Sequence, residues 1–485
     1  MNDNDAVTFI DQAWDDVLGV LTDYIRIPAV SPMFSPTWAA LGHIDRAVDL
    51  LRDWAESCPI DGMTVEVVRL PGRTPVILCE VPPAGDGADE PPVLLYGHLD
   101  KQPEMTGWRD GLGPWEPVFE DDRLYGRGGA DDGYAIFCAL SAIQAVRIGG
   151  GSHARCVVLI EASEESGSPD MPAYVDALAD RLGQPGLVVT LDSGTGDYER
   201  LWVTTSLRGL VGVDLTVEIL TEGVHSGKAG GIVPSSFRLL RLLLSRVEDE
   251  STGEILLPDL HADIPADRAA QMKIAGSLLG DLVSGEFPFV DGAVPMSPDD
   301  PVAQLLDRAW RPTLEVVGID GSPPTGNAGN VLRPFTRAKL SFRLPPTVDP
   351  DRAAAAVRAA LTHDPPSGAV VTAQVTDQGP GFSAPPTAPW LEAVLDEASG
   401  AAFGQPAAFL GEGGSIPFMG MLGARFPEAQ FVVTGELGPH SNAHGPNEFL
   451  HLPTVRRLTE VVARVLDAHA HAHARAHAHA GRARP

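Results

Sequence analysis

Several short polar groups in this sequence combine residue types that support metal chemistry, and most of them follow an apolar run. His98-Leu99-Asp100 comes directly after VLLYG at 93–97. On an extended chain the side chains of positions 98 and 100 point to the same side, so one can ligate a metal while the other orients it. A metal-bound histidine usually gives the proton of its second ring nitrogen to a carboxylate or carbonyl. Glu164 and Glu165 follow CVVLIEA at 156–162. Adjacent carboxylates repel unless they are solvated or shared by cations. One of the two can coordinate a metal while the other takes a proton from water, the division of labour that metal-assisted hydrolysis requires. Asp131 and Asp132 open a helix after the glycine-rich turn of YGRGGADDGY, where acids are also simply stabilised by exposed amides and the helix dipole. Asp192 ends LVVTL at 187–191, and His444 lies in GPHSNAHGPNEFL at 438–450. Together His98, Asp131, Glu165, Asp192 and His444 offer two imidazoles and three carboxylates. That set suffices for two divalent ions about 3.5–4 Å apart, bridged by one carboxylate and a water. His440 competes with His444 for the ligand role, and spacing alone does not choose between them.

These residues need a scaffold that brings distant positions together. From about residue 8 to 205 helical stretches alternate with short apolar runs, the pattern of helices covering a mainly parallel sheet. In open α/β sheets ligands bind beyond the carboxyl ends of strands, which is where 98–100, 164–165 and 192 fall. Near Trp202 the texture changes: Val211, Val213, Leu215, Val217 and Ile219 alternate with other residues and mark a strand with one buried face. A helix at about 234–247, a strand over Ala338–Leu344, a helix at 351–362 after the start signal Asp349-Pro350, and a strand over Ala369–Val375 follow. This order suits an α+β sandwich inserted at 206–384. After Pro385 the α/β texture returns, with a helix at 389–399, the loop GEGGSIP at 411–417, the strand QFVVT at 430–434 and a last helix at 453–467. The expected organisation is therefore 1–205 and 385–467 as two parts of one catalytic domain, 206–384 as the insertion, and 468–485 as a His-Ala tail of low complexity with five histidines.

Composition narrows the partners. Lys plus Arg number 35 against 65 Asp plus Glu, a formal charge of −30, so no basic surface exists to neutralise a nucleic-acid backbone. With 44% apolar residues and no run of about 18, the chain reads as globular and without a membrane span. The acidic amphipathic start lacks the features of a secretory signal, which makes a cytoplasmic location the expectation. The four cysteines form no CxxC pair, so they are expected to be core or surface thiols rather than a disulfide framework or a thiolate zinc site.

GHLD (97–100), YGRGGADD (125–132), EASEESGS (161–168), LDSG (191–194), LRG (207–209), HSG (225–227), FRL (342–344), GEGGSIP (411–417) and NAHGPNE (442–448) occur in order. In these motifs the sequence resembles the dinuclear zinc exopeptidase family. Its members include carnosinase-type cytosolic dipeptidases, dipeptidase V, carboxypeptidase G, acetylornithine deacetylase and succinyl-diaminopimelate desuccinylase. The likeness spans nearly the whole chain except the tail. It implies a catalytic α/β domain with an inserted lid that commonly mediates homodimerisation. It also implies two divalent ions per subunit, zinc or alternatively manganese or cobalt. By this resemblance His98 and Asp192 hold one ion, Glu165 and His444 the other, and Asp131 bridges them. Glu164 becomes the general base and Asp100 the residue that orients His98. His225 becomes the lid residue that reaches a neighbouring subunit's active site and polarises the scissile carbonyl. Asn330 and Arg343 resemble lid contacts to substrate, Arg343 being suited to a terminal carboxylate because guanidinium donates two parallel hydrogen bonds.

Gly413, Gly414 and Ser415 offer amides for a carboxylate, and Glu412 beside them suits a free ammonium. That pairing points to an unblocked dipeptide or short peptide, and GEGGSIP is nearest the dipeptidase branch. Three departures stand out. Gly133 occupies a position where many dipeptidases of the group carry lysine, Gly411 replaces a frequent arginine, and no histidine lies near residue 380. Activity is expected, carnosine as a substrate is not. The alternatives are a deacylase of N-acyl amino acids using the same chemistry and, from another class, a non-catalytic metal or peptide binder.

Overall fold

The computed structural model describes residues 1–472, so most of the His-Ala tail lies outside the described residues. The expected α/β body with an inserted α+β unit is the fold observed. Its main sheet has nine strands. At its centre Cys156–Glu161, Val93–His98, Leu187–Thr190 and Gln430–Val433 run parallel in that spatial order. Each central strand is buried along its length apart from Gln430, as expected where helices cover both faces. The antiparallel pair Thr64–Val68 and Val76–Val81 extends one side. On the other side Trp202–Leu207 is joined by Ala408–Glu412 and by the short Phe382–Ser383.

The helix Ala135–Ile148 is buried from Ala135 to Val146, because it lies between the sheet and the outer helices Asp3–Ile25 and Leu452–His469. A helix apolar all round its circumference belongs in such a middle layer. The last helix runs to His469, which is only 3% exposed, so the first residues of the His-Ala segment pack into the body. Cys79, Cys138 and Cys156 are buried and Cys58 partly so, all as free thiols. No helix among the described residues is long and apolar enough to cross a membrane.

The inserted unit is a four-stranded antiparallel sheet in the order Thr313–Asp320, Phe335–Leu344, Gly209–Glu218, Val370–Gly379. The alternating residues Val211, Val213, Leu215 and Val217 face the helices Ser236–Leu244 and Pro350–Thr362. The second helix starts as its sequence dictates: the Asp349 carboxylate accepts the amides of Asp351 and Arg352, and Pro350 fixes the first turn. One stretch within the insertion behaves differently. The helices Ala266–Leu279 and Pro301–Trp310 pack Met272, Ala275, Leu279 and Leu305 on Trp202, Ala408 and Leu410, so they cover the edge of the main sheet.

Candidate metal centre and substrate cleft

Three neighbouring parallel strands deliver polar residues to one edge. Val93–His98 ends in His98, Cys156–Glu161 leads into Glu164 and Glu165, and Leu187–Thr190 leads into Asp192. Asp131 comes from the glycine-rich turn, and His444 from the loop after Gln430–Val433. Potential ligand atoms fall into two groups, His98 with Glu164 and Asp192, and Asp131 with Glu165 and His444, each within 4.8 Å. Asp131 joins the groups. Its Oδ1 lies 3.1 Å from His98 Nε2 and its Oδ2 lies 3.1 Å from His444 Nε2. His444 Nε2 is also 3.2 Å from Glu165 Oε2, and His98 Nε2 is 3.8 Å from Asp192 Oδ2. His440 lines the cleft but belongs to neither group.

Supporting residues fix these side chains. The His98 amide donates to Asp132 Oδ2 at 3.2 Å, and its ring Nδ1 meets the Asp100 carbonyl oxygen at 3.0 Å. The expected contact of Nδ1 with the Asp100 carboxylate is longer, 3.5 Å. The carboxylate instead accepts the amides of Glu164 and Glu165 at 3.0 and 3.1 Å, so Asp100 holds the turn that carries both glutamates. Gln102 Nε2 donates to Glu165 Oε2 at 2.5 Å. Arg127 and Glu448 form a fully buried ion pair, and Arg127 Nη2 donates to the Gly445 carbonyl at 2.6 Å while Glu448 Oε1 accepts the Gly128 amide at 2.8 Å. That network ties the turn bearing Asp131 to the loop bearing His444. Gln102, Arg127 and Glu448 were not singled out from sequence, and Asp132 only as an acid at the start of the following helix. Their only local signal is that they flank the ligand motifs.

The site's electrostatics call for cations. Burial, reinforced by the Asp192 charge, pushes the Glu164 carboxyl well above its ordinary range. Burial also raises Asp192 to about 7 and raises Glu165. Burial would raise Asp131 too, but the hydrogen bonds from His444 and His98 overcome it and hold that carboxyl far below the usual range. Burial would lower His444, yet the Asp131 and Glu165 carboxylates hold it up at about 11. Glu165 Oε1 is buried with no hydrogen-bond partner. Four crowded carboxylates, two imidazoles and an orphaned oxygen form a donor set that divalent ions fit.

The cluster opens into a cleft of about 790 Å³ lined by Asp131, Glu164, Asp192, Glu412, Gly414 and Ser415, among others. Arg343 stands beside it and donates to Ser415 Oγ at 3.0 Å. His225 and Asn330 do not line it. They lie together on the exposed two-stranded ribbon of the insertion, where His225 pairs with Val331 and the Ser226 amide donates to the Asn330 carbonyl. Gly133, the position that departs from the resembled pattern, has no room for a side chain: a Cβ there would stand 2.1 Å from the Tyr24 ring.

A buried carboxylate–imidazole cluster at the carboxyl edge of a mainly parallel sheet, beside an inserted α+β unit, defines the class of metal-dependent peptidases. The chain belongs to peptidase family M20/M25/M40, whose sequence model matches residues 94–468. It is 31% identical over 371 residues to the cysteinylglycine-S-conjugate dipeptidase of Corynebacterium striatum, covering 74% of this chain and 77% of that protein. Its fold is similar to that of the di-peptidase Dug1p from Saccharomyces cerevisiae (TM-score 0.77, 21% identity, 97% of this chain and 99% of that one). It is similar also to human carnosine dipeptidase 1 (TM-score 0.76, 21% identity, 97% and 99%).

Proposed function

We propose that this protein is a dinuclear metallo-dipeptidase that hydrolyses the amide bond of a dipeptide or short peptide with free ends. The observation that carries this reading is that the two oxygens of Asp131 face His98 and His444 and so join two donor groups, with Glu164 in the first of them lining the cleft. His98 and Asp192 would hold one ion, Glu165 and His444 the other, and Asp131 both. Their mix of oxygen and imidazole donors suits zinc and also accepts manganese or cobalt. When bound, such ions polarise the scissile carbonyl and make a water acidic enough to serve as nucleophile near neutral pH. Glu164 takes the proton from the attacking water and passes it to the leaving amine, so one carboxyl acts first as base and then as acid. Asp100 keeps Glu164 and Glu165 in place through their amides. Arg343 and Ser415 receive the terminal carboxylate, the open backbone at Gly414 lets it approach, and Glu412 receives the ammonium. His225 and Asn330 act on the cleft of a second copy in a homodimer formed through the insertion. Their exposure and their absence from the lining of their own cleft support that role.

Glu164→Gln tests the assignment. It should keep the metal content, measured by elemental mass spectrometry, and lose about 10²–10⁴-fold in kcat. Near-normal turnover would reject Glu164 as the base. Parallel assays on a free dipeptide and its N-acetylated form separate this reading from an N-acyl deacylase, which would favour the acetylated compound.

A further inference from the structure

Arg208 follows the strand Trp202–Leu207 at the point where the chain enters the insertion, and it is only 9% exposed. It grips three consecutive residues of the substrate loop. Its amide donates to the Gly414 carbonyl at 3.1 Å, its carbonyl accepts the Ser415 hydroxyl, and its Nε donates to the Gly413 carbonyl at 3.1 Å. Nη1 reaches Thr313 Oγ1 of the insertion at 3.2 Å. Gly413 is wedged in place, since a Cβ there would lie 2.8 Å from Arg308 Cγ and 3.2 Å from Arg208 Nη2, whereas Gly414 faces open space.

The charge around this loop is unbalanced. Arg308 pairs with Glu286 at 3.1 Å, but neither Arg208 nor Arg343 has a carboxylate within ion-pair distance among the described residues. Burial lowers the Arg208 guanidinium to about 10, and the Arg343 and Arg308 charges add to that shift while Glu315, beyond ion-pair distance, opposes it. A buried cation without a counter-ion is costly unless an anion arrives to complete the site. The open side of the loop, where Ser415 and Gly414 meet the cleft, is where that anion would sit.

We propose that Arg208 is a positioning residue for the substrate's terminal carboxylate: it locks Gly413, Gly414 and Ser415 and adds unpaired positive charge behind Arg343, so that the recess selects peptides with a free carboxyl end over their amides. The proposal rests on the dipeptidase reading and names the end of the substrate that this motif recognises.

The test compares alanyl-glycine with alanyl-glycinamide on the wild type, Arg208→Met and Arg208→Lys. The wild type should prefer the free acid. Arg208→Met should lose about tenfold or more of that preference, read as a larger rise in KM for the acid than for the amide. Arg208→Lys keeps the charge but cannot bond Gly413 and Thr313 together, so it should fall between the two. An unchanged acid-to-amide ratio in Arg208→Met overturns the proposal. So does an equal loss on both substrates, the mark of a merely structural role. If Arg208→Met fails to fold, Arg208→Lys decides alone: a reduced ratio supports the proposal and a wild-type ratio overturns it. A wild type inert toward both compounds refutes the dipeptidase reading itself, whereas an active wild type with an unchanged ratio in the variants refutes only the role of Arg208.

Discussion

His98 and His444 both present Nε2 to Asp131 at 3.1 Å, yet the His98 side chain is fully buried and that of His444 is 58% exposed. The difference follows from what carries them. His98 ends a central strand, with its amide on Asp132 and its ring on the Asp100 carbonyl, so the sheet itself sets its position. His444 sits at φ +64 in a loop where His440, Asn442 and Asn447 also have positive φ. Such backbone is held by tertiary contacts rather than by propensity, here the buried Arg127–Glu448 pair and its bond to Gly445. One half of the cluster is thus built into the sheet, and the other half is clamped from outside by an ion pair. The inner half should be the more rigid, and the outer half the one through which metal exchanges.

The largest effect should come from breaking the clamp. Glu448→Ala strands a buried guanidinium and should cost about 3–5 kcal/mol of stability. Metal titration of the folded variant should show the outer binding step weakened and the inner one retained, and equal weakening of both steps would remove the distinction. His98→Ala comes next. It leaves a void and unpaired acceptors in the inner half and should lower the denaturation free energy by about 2–3 kcal/mol, alongside at least about 100-fold loss of activity. Asp349→Ala removes the amino-terminal cap of a helix in the insertion, remote from both halves. It should cost about 1 kcal/mol, read as a lower denaturation midpoint, with kcat/KM unchanged. Smallest in stability is His444→Ala, expected to shift the unfolding free energy by no more than about 0.5 kcal/mol, while metal content by mass spectrometry and turnover both fall. A destabilisation as large as that of His98→Ala would show the two halves to be equally built in.

The strand-end residues were readable because the pattern is local: a buried apolar run followed at once by acids or histidine. The capped helix at Pro350–Thr362 was readable for the same reason, its start signal being contiguous in sequence. The helices Ala266–Leu279 and Pro301–Trp310 were not. Their apolar residues pack on the edge of a different sheet, and Arg268, buried in the first of them, satisfies its guanidinium on Gln271 and the Ala384 carbonyl. A buried arginine blurs the apolar stripe that marks a helix in sequence. Asp100 was legible as a neighbour of the site but not in its contacts. Alternation places its side chain beside that of His98, while the turn from a separate strand brings two amides closer to its carboxylate than the imidazole.

The sequence by itself determined the supply of candidate ligand groups, the attachment of His98, Glu165 and Asp192 to strand ends, and the α/β body with its insertion, because periodicity and capping act over a few residues. Asp131, expected at a helix start, sits instead in the non-helical turn before Ala135. Tertiary structure alone decided that the two oxygens of Asp131 face different histidines, that Arg127 and Glu448, 321 positions apart, share a buried bond, and that Arg208 holds the loop at 413–415. The direction of each side chain and the partner of each buried charge depend on which segments pack together. That is settled by the requirement to bury apolar surface across the whole chain while leaving few buried polar groups unpaired.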